Sequence, residues 1–124
     1  MIIKESAENY LETILMLSRK NGYVRSIDIA NELNFTKPSV SVAMKNFREA
    51  GYVIIGEDGR ISLTEKGLEI AENVMERHEI IAKALIKLGV PDATAYEDSC
   101  KIEHVVSEIS FNKIKDFLIN AEEL

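Results

Sequence analysis

Residues 26–63 run through two short helical patterns and then drop to a period of two, and few folds accommodate that order. Ser26 opens a short helical pattern to Leu33, with Ile29, Ala30 and Leu33 facing inward and Ser26 placed to cap it. Asn34-Phe35 makes a tight connection. Thr36 is the cap of a second helix, and Pro38 falls in its first turn, where a missing N–H is tolerated. Val40, Met44 and Phe47 recur at i, i+4, i+7, and Gly51 is a natural stop. The period then drops to two. Tyr52 to Ile55 is largely β-branched, Asp58-Gly59 is a hairpin turn signal, and Ile61 and Leu63 return as a second strand. Two short helices, a tight turn and a hairpin predict a winged helix-turn-helix.

The outward residues of helix 37–50 are Lys37, Ser39, Ser41, Lys45 and Arg48, and Arg60 sits at the hairpin tip. Serines approach phosphates and base edges closely, whereas lysine and arginine neutralise phosphates. This face suits double-stranded DNA. A helical bundle with a solvated charged face, or a protein-interaction module, would show a similar pattern.

Elsewhere the chain is helical. A stripe of Tyr10, Leu11, Ile14, Leu15 and Leu17 predicts a helix from about Ser6 to Ser18. Thr64 caps a long helix to about Leu88, with Leu68, Ala71, Met75, Ala82 and Leu85 on one stripe and His78 on the same side. Gly89-Val90-Pro91 breaks the chain. Asp92 is placed to cap a helix to about Ser110, and a last helix runs from Phe111 to Glu122.

Charge bounds the function less than it first suggests. The net charge is −6, which on its face disfavours nucleic acid. Residues 1–63 carry eight basic and eight acidic side chains, whereas residues 64–124 carry seven and thirteen. The deficit therefore belongs to the second half, where carboxylates suit a cation. No apolar run approaches the roughly 18 residues of a membrane span, and no secretory leader is legible. One cysteine, Cys100, cannot form an internal disulfide, which fits a reducing compartment. A cytoplasmic protein is expected.

Cys100-Lys101-Ile102-Glu103-His104 carries the densest chemistry. On a continuous helix Cys100, Glu103 and His104 share one face at i, i+3, i+4, and they offer a thiolate, a carboxylate and an imidazole to a divalent transition metal. A lone cysteine is otherwise most often a core residue. On such a helix, however, Ile102, Val105, Val106 and Ile109 form the apolar face, and the three donors lie opposite. His78 lies on an apolar stripe, where a lone histidine is more often a hydrogen-bonded core residue than a ligand. Asn9 and Glu12, at i, i+3 in helix 1, read as a solvated polar face.

These residues resemble the diphtheria toxin repressor family, including its short branch, the manganese transport regulators. The resemblance runs along essentially the whole chain through Glu8-Asn9-Tyr10-Leu11-Glu12, Asp28-Ile29-Ala30, Pro38-Ser39-Val40, Leu63-Thr64-Glu65-Lys66-Gly67, Arg77-His78-Glu79 and Cys100 to His104. It implies a homodimeric repressor of metal-uptake genes, activated by Fe(II) or Mn(II), that binds a palindromic operator. It implies metal ligation by Glu12, His78, Glu103 and His104. Cys100 matches a position that is Cys in the iron-responsive branch and Glu in the manganese branch. Asn9 stands where those branches have Met and Asp, and an amide carbonyl is a weaker, neutral ligand. Ala82 and Tyr96 occupy two positions of the long branch's ancillary site, and the chain stops before that branch's third domain.

The expectation is a mostly α protein: a winged helix-turn-helix DNA-binding domain over 1–72, then a helical metal-binding and dimerisation domain over 73–124. Metal would tie helix 1 to the second domain. Fe(II) is the metal preferred by the donor set, with Mn(II) the other choice. The alternatives are a winged-helix regulator that senses an organic ligand or an oxidant through Cys100, and a small metalloenzyme. The enzyme is disfavoured, because no nucleophile–base pair or HExxH-type site is present.

Overall fold

The computed structural model describes residues 5–123. It is mostly α with one small sheet, in the order α1 (Glu5–Asn21), α2 (Ser26–Leu33), α3 (Lys37–Glu49), β1 (Val53–Ile55), β2 (Ile61–Leu63), α4 (Glu65–Lys87), α5 (Asp92–Ile102) and α6 (Glu108–Glu123). It divides into two compact units, Met1–Glu72 and Asn73–Leu124.

In the first unit, Leu11, Ile14, Val24, Ile29, Val40 and Met44 form a fully buried centre. Each helical member comes from the apolar side of a 3.6-residue period, so α1, α2 and α3 bury their stripes against one another. Three aromatic pairs extend this core: Tyr10–Phe35 at 5.5 Å, Tyr10–Phe47 at 5.6 Å and Phe47–Tyr52 at 6.4 Å between centroids.

The turn between α2 and α3 rests on Asn34, whose φ of 57° is left-handed. Asparagine tolerates that region better than most residues. Thr36 caps α3 by accepting from the Ser39 N–H at 3.3 Å, with Pro38 in the first turn. The cap of α2 differs from expectation. Its N-cap residue is Arg25, whose N–H donates to the Asp28 carboxylate at 2.9 Å, and Ser26 is already helical.

The wing pairs Val53 with Leu63, Ile54 with Ser62 and Ile55 with Ile61 in antiparallel register. Gly56 N–H donates to the Arg60 carbonyl at 2.9 Å and closes the loop. Thr64 then locks hairpin to helix. Its hydroxyl donates to the Gly51 carbonyl at 2.7 Å and accepts from the Gly67 N–H at 3.2 Å. A Cβ on Gly67 would lie 2.2 Å from the Tyr52 carbonyl oxygen, so the Thr-x-x-Gly spacing is a packing requirement.

In the second unit, Val74, Ile81, Ala82, Ala95, Phe111 and Leu118 are buried. The small residues Ala82 and Ala95 leave room for close helix packing. Two expectations fail here. The N-cap of α5 is Pro91, with Asp92 in the first turn. More consequentially, α5 ends at Ile102 instead of running to Ser110, and residues 103–107 form a turn. The face expected to be buried is largely solvated: Val105 is 77% and Ile109 76% exposed. The reason is hydrogen bonding. The Arg77 guanidinium, on α4, donates from one Nη to the carbonyls of Glu103 and Val106, each at 3.3 Å. It also lies 5.5 Å from the Phe111 ring centroid. Ser107 then caps α6, its Oγ accepting from the Ser110 N–H at 3.1 Å.

Gly67→Ala should therefore destabilise the protein by about 1–3 kcal/mol through overpacking, although alanine is the better helix former. Urea unfolding measures this, and an unchanged or raised midpoint would contradict the close approach.

Candidate metal centre and DNA interface

The second unit draws four side chains into a connected cluster. His78 comes from α4, Cys100 from the last turn of α5, and Glu103 and His104 from the turn that follows. Cys100 Sγ lies 3.7 Å from His78 Nδ1. The same nitrogen lies 3.0 Å from Glu103 Oε2, and the other carboxylate oxygen is 3.2 Å from His104 Nε2. The Glu103 side chain is 1% exposed, so a carboxylate is buried between two imidazoles.

Burying a carboxylate is costly without donors. Here the imidazoles of His78 and His104 face its two oxygens, while Arg77 holds the backbone that carries it. Ser99, itself buried, donates to the His78 carbonyl at 2.5 Å and fixes α5 against α4 beside the cluster. Tyr96 stacks near His78, with 5.6 Å between centroids, and donates to Glu79 at 3.2 Å. The Glu79 carboxylate pushes the Tyr96 phenol above its ordinary pKa, with burial, the hydrogen bond and Asp92 adding to the shift.

The contacts run pairwise from Cys100 through His78 and Glu103 to His104. Among the described residues, no group of three or more His, Cys, Asp or Glu side chains is set to hold a metal ion as it stands. The donor chemistry nonetheless fits a borderline divalent cation: one thiol, two imidazoles and one carboxylate joined by successive contacts. Asn9 and Glu12, both half-buried, lie on one side of α1 in the first unit.

In the first unit, α3 carries an exposed face of Lys37, Ser39, Ser41, Lys45 and Arg48, backed by buried Val40 and Met44. Ser39 is partly committed, because the Thr36 hydroxyl donates to its Oγ at 2.7 Å. Val42, 60% exposed, puts an apolar spot on the same helix, and Arg60 is exposed at the wing. Sequence reasoning passed over Val42 and Arg25 and gave Arg77 no role of its own. Val42 breaks a polar pattern, and both arginines act through partners distant in sequence.

A helix-turn-helix with an exposed cationic face lies in the first unit and a thiol–imidazole–carboxylate cluster in the second, and comparison with known proteins gives the class of such a chain: a metal-dependent DNA-binding regulator. Residues 3–60 match the family described as iron-dependent repressor, N-terminal DNA-binding domain. Residues 64–123 match iron-dependent repressor, metal-binding and dimerisation domain. The chain is 33% identical over 118 residues to an uncharacterised HTH-type transcriptional regulator of Methanocaldococcus jannaschii, covering 94% of each. It is 34% identical to the HTH-type transcriptional regulator MntR of Bacillus subtilis, covering 95% of this chain and 83% of that one. Among solved structures, the manganese regulator SloR superposes with a TM-score of 0.77 at 25% identity. T. acidophilum IdeR superposes with a TM-score of 0.77 at 26% identity. The chain spans 55% and 54% of those two longer chains. This chain belongs to the iron-dependent repressor family, the group of the diphtheria toxin repressor. It is a metal-dependent, DNA-binding transcriptional repressor and not an enzyme. No helix among the described residues is long and apolar enough to cross a membrane.

Lys45→Ala and Arg48→Ala should weaken DNA binding and flatten its salt dependence, by roughly one unit of slope for each phosphate that is no longer neutralised. Metal affinity should not change. Wild-type salt slopes in both variants would show that the exposed face of α3 is not the reading surface.

Proposed function

We propose that the protein is a homodimeric repressor of metal-uptake genes that senses Fe(II) in preference to Mn(II) and binds a palindromic operator. The observation that carries the metal choice is the contact of Cys100 Sγ with His78 Nδ1 at 3.7 Å, beside buried Glu103. It supports a ligand role for the thiol, which is exposed and not a core residue. A divalent cation bound there would supply the positive charge that a thiolate, a carboxylate and two imidazoles attract.

His78, Cys100, Glu103 and His104 are the residues that would hold it. Thiolate favours borderline metals over the harder Mn(II), and Mn(II) lies at the weak end of the divalent series for a given site. The likeness to the manganese regulator SloR, at 25% identity, supports manganese as the second reading. The donor set favours iron, because the ion meets ligands directly. Glu12, with Asn9 beside it on α1, keeps the ligand role that the resemblance gives it.

Lys37, Ser39, Ser41, Lys45, Arg48 and Arg60 are the proposed DNA contacts. In a dimer, two-fold symmetry would present two copies of α3 to half-sites one helical turn apart, roughly 34 Å. Metal and DNA would couple by about 1–3 kcal/mol, and the coupling must be reciprocal.

Anaerobic titrations of metal-dependent DNA binding test the choice of metal. Fe(II) should activate at lower free concentration than Mn(II), and Cys100→Glu should narrow or reverse the order. Equal or stronger activation of the unmodified protein by Mn(II) would overturn the iron assignment and leave the repressor reading intact.

The ligand roles are tested separately. Glu12→Ala and His104→Ala should each abolish metal-dependent DNA binding while circular dichroism stays unchanged. Full activation of either variant would remove that residue from the ligand set.

A further inference from the structure

The first unit holds a second cationic cluster away from the exposed face of α3. The Tyr23 ring, 43% exposed, carries two guanidinium groups: Arg60 at 4.7 Å and Arg25 at 5.1 Å from its centroid. The arginines are far apart in sequence, one preceding α2 and the other closing the wing loop. Backbone pairing brings them together, because the Ile61 N–H donates to the Val24 carbonyl at 2.7 Å. That bond makes residues 23–25 an edge companion of the wing.

Two guanidinium groups on one ring repel unless an acceptor lies near both. Asp58 is that acceptor. Its carbonyl accepts from Arg25 Nε at 3.3 Å, and its carboxylate lies 3.3 Å from Arg60 Nε. The Asp58 carboxylate also accepts from the Arg60 N–H at 3.1 Å, which holds the turn. Exposed ion pairs of this kind are weak, so an incoming phosphate can compete for these donors. The aromatic face cannot be displaced in the same way. It aligns the arginines before any partner arrives and lowers the rotamer freedom they lose on binding.

We propose that Tyr23 is a positioning residue for DNA binding, whose ring sets Arg25 and Arg60 side by side as a phosphate clamp joining the start of α2 to the wing. Arg25 is thereby a DNA-contacting residue. The proposal rests on the DNA-binding reading of this unit, and its chemistry is independent of base sequence.

The test uses the full chain in excess manganese(II) and a random-sequence DNA duplex, with anisotropy measured across a potassium chloride series. Arg25→Ala and Arg60→Ala should each lower the salt slope by about one unit. Tyr23→Leu, which keeps an apolar side chain and removes the aromatic face, should weaken binding. In an Arg25→Ala/Arg60→Ala background Tyr23→Leu should have no further effect, whereas a merely structural role would persist there. Tyr23→Phe should restore wild-type binding. If Tyr23→Leu fails to fold by circular dichroism, the two arginine variants and Tyr23→Phe decide. A wild-type slope in Arg25→Ala, or loss of binding in folded Tyr23→Phe, overturns the proposal. Lys45→Ala separates the two failures. If it weakens binding while Arg25→Ala does not, the clamp alone is wrong; if neither does, the reading head itself is misassigned.

Discussion

The second unit is organised around the burial of one carboxylate. Glu103 is 1% exposed, and a carboxylate in that position requires donors and a fixed backbone. The backbone is fixed from α4, and the carboxylate faces His78 on α4 and His104 in the turn that follows α5. His78 supplies an imidazole, while Arg77, its neighbour in sequence, donates to the carbonyls of Glu103 and Val106. The helix ends where those carbonyls turn toward Arg77, and that ending brings Glu103 to His78 and His104. Ser99 and Ala95 close α5 against α4 and fix the distances. The geometry of the donor cluster thus follows from how a helix end is satisfied.

The first unit solves an electrostatic problem of a different kind. The chain as a whole is acidic, yet its reading head has to approach a polyanion. The surplus of carboxylates lies in residues 64–124, whereas residues 1–63 carry equal numbers of acidic and basic side chains. Local placement therefore outweighs net charge. Lys37, Lys45 and Arg48 occupy one face of α3, and Arg25 and Arg60 share the Tyr23 ring. Net charge alone therefore says little about a face whose cations are gathered on one helix.

Much of the fold was legible. The stripes of α1 and α4, the Thr36 cap, Pro38 in the first turn, the Asn34 connection and the Asp-Gly hairpin each rest on interactions within a few residues, and each appears where the pattern put it. Local chemistry was also enough to nominate Cys100, Glu103 and His104, because three donor types cluster in five residues. The helical wheel misjudged their surroundings. It assumed a helix unbroken to Ser110 and so assigned burial to Val105 and Ile109 and exposure to Glu103, the reverse of what the fold does.

The sequence by itself determined the helical and hairpin segments, the polar face of α3 and the identity of the metal-ligand candidates, because periodicity, capping and side-chain chemistry are short-range properties. Tertiary structure decided where α5 stops, that a carboxylate is buried between imidazoles, and that Arg25 and Arg60 meet over Tyr23. Each of these depends on partners distant along the chain, such as Arg77 for Glu103 and Tyr23 for Arg60. No local pattern records such a partner; it is present only when the folded chain brings donor to acceptor, or cation to ring.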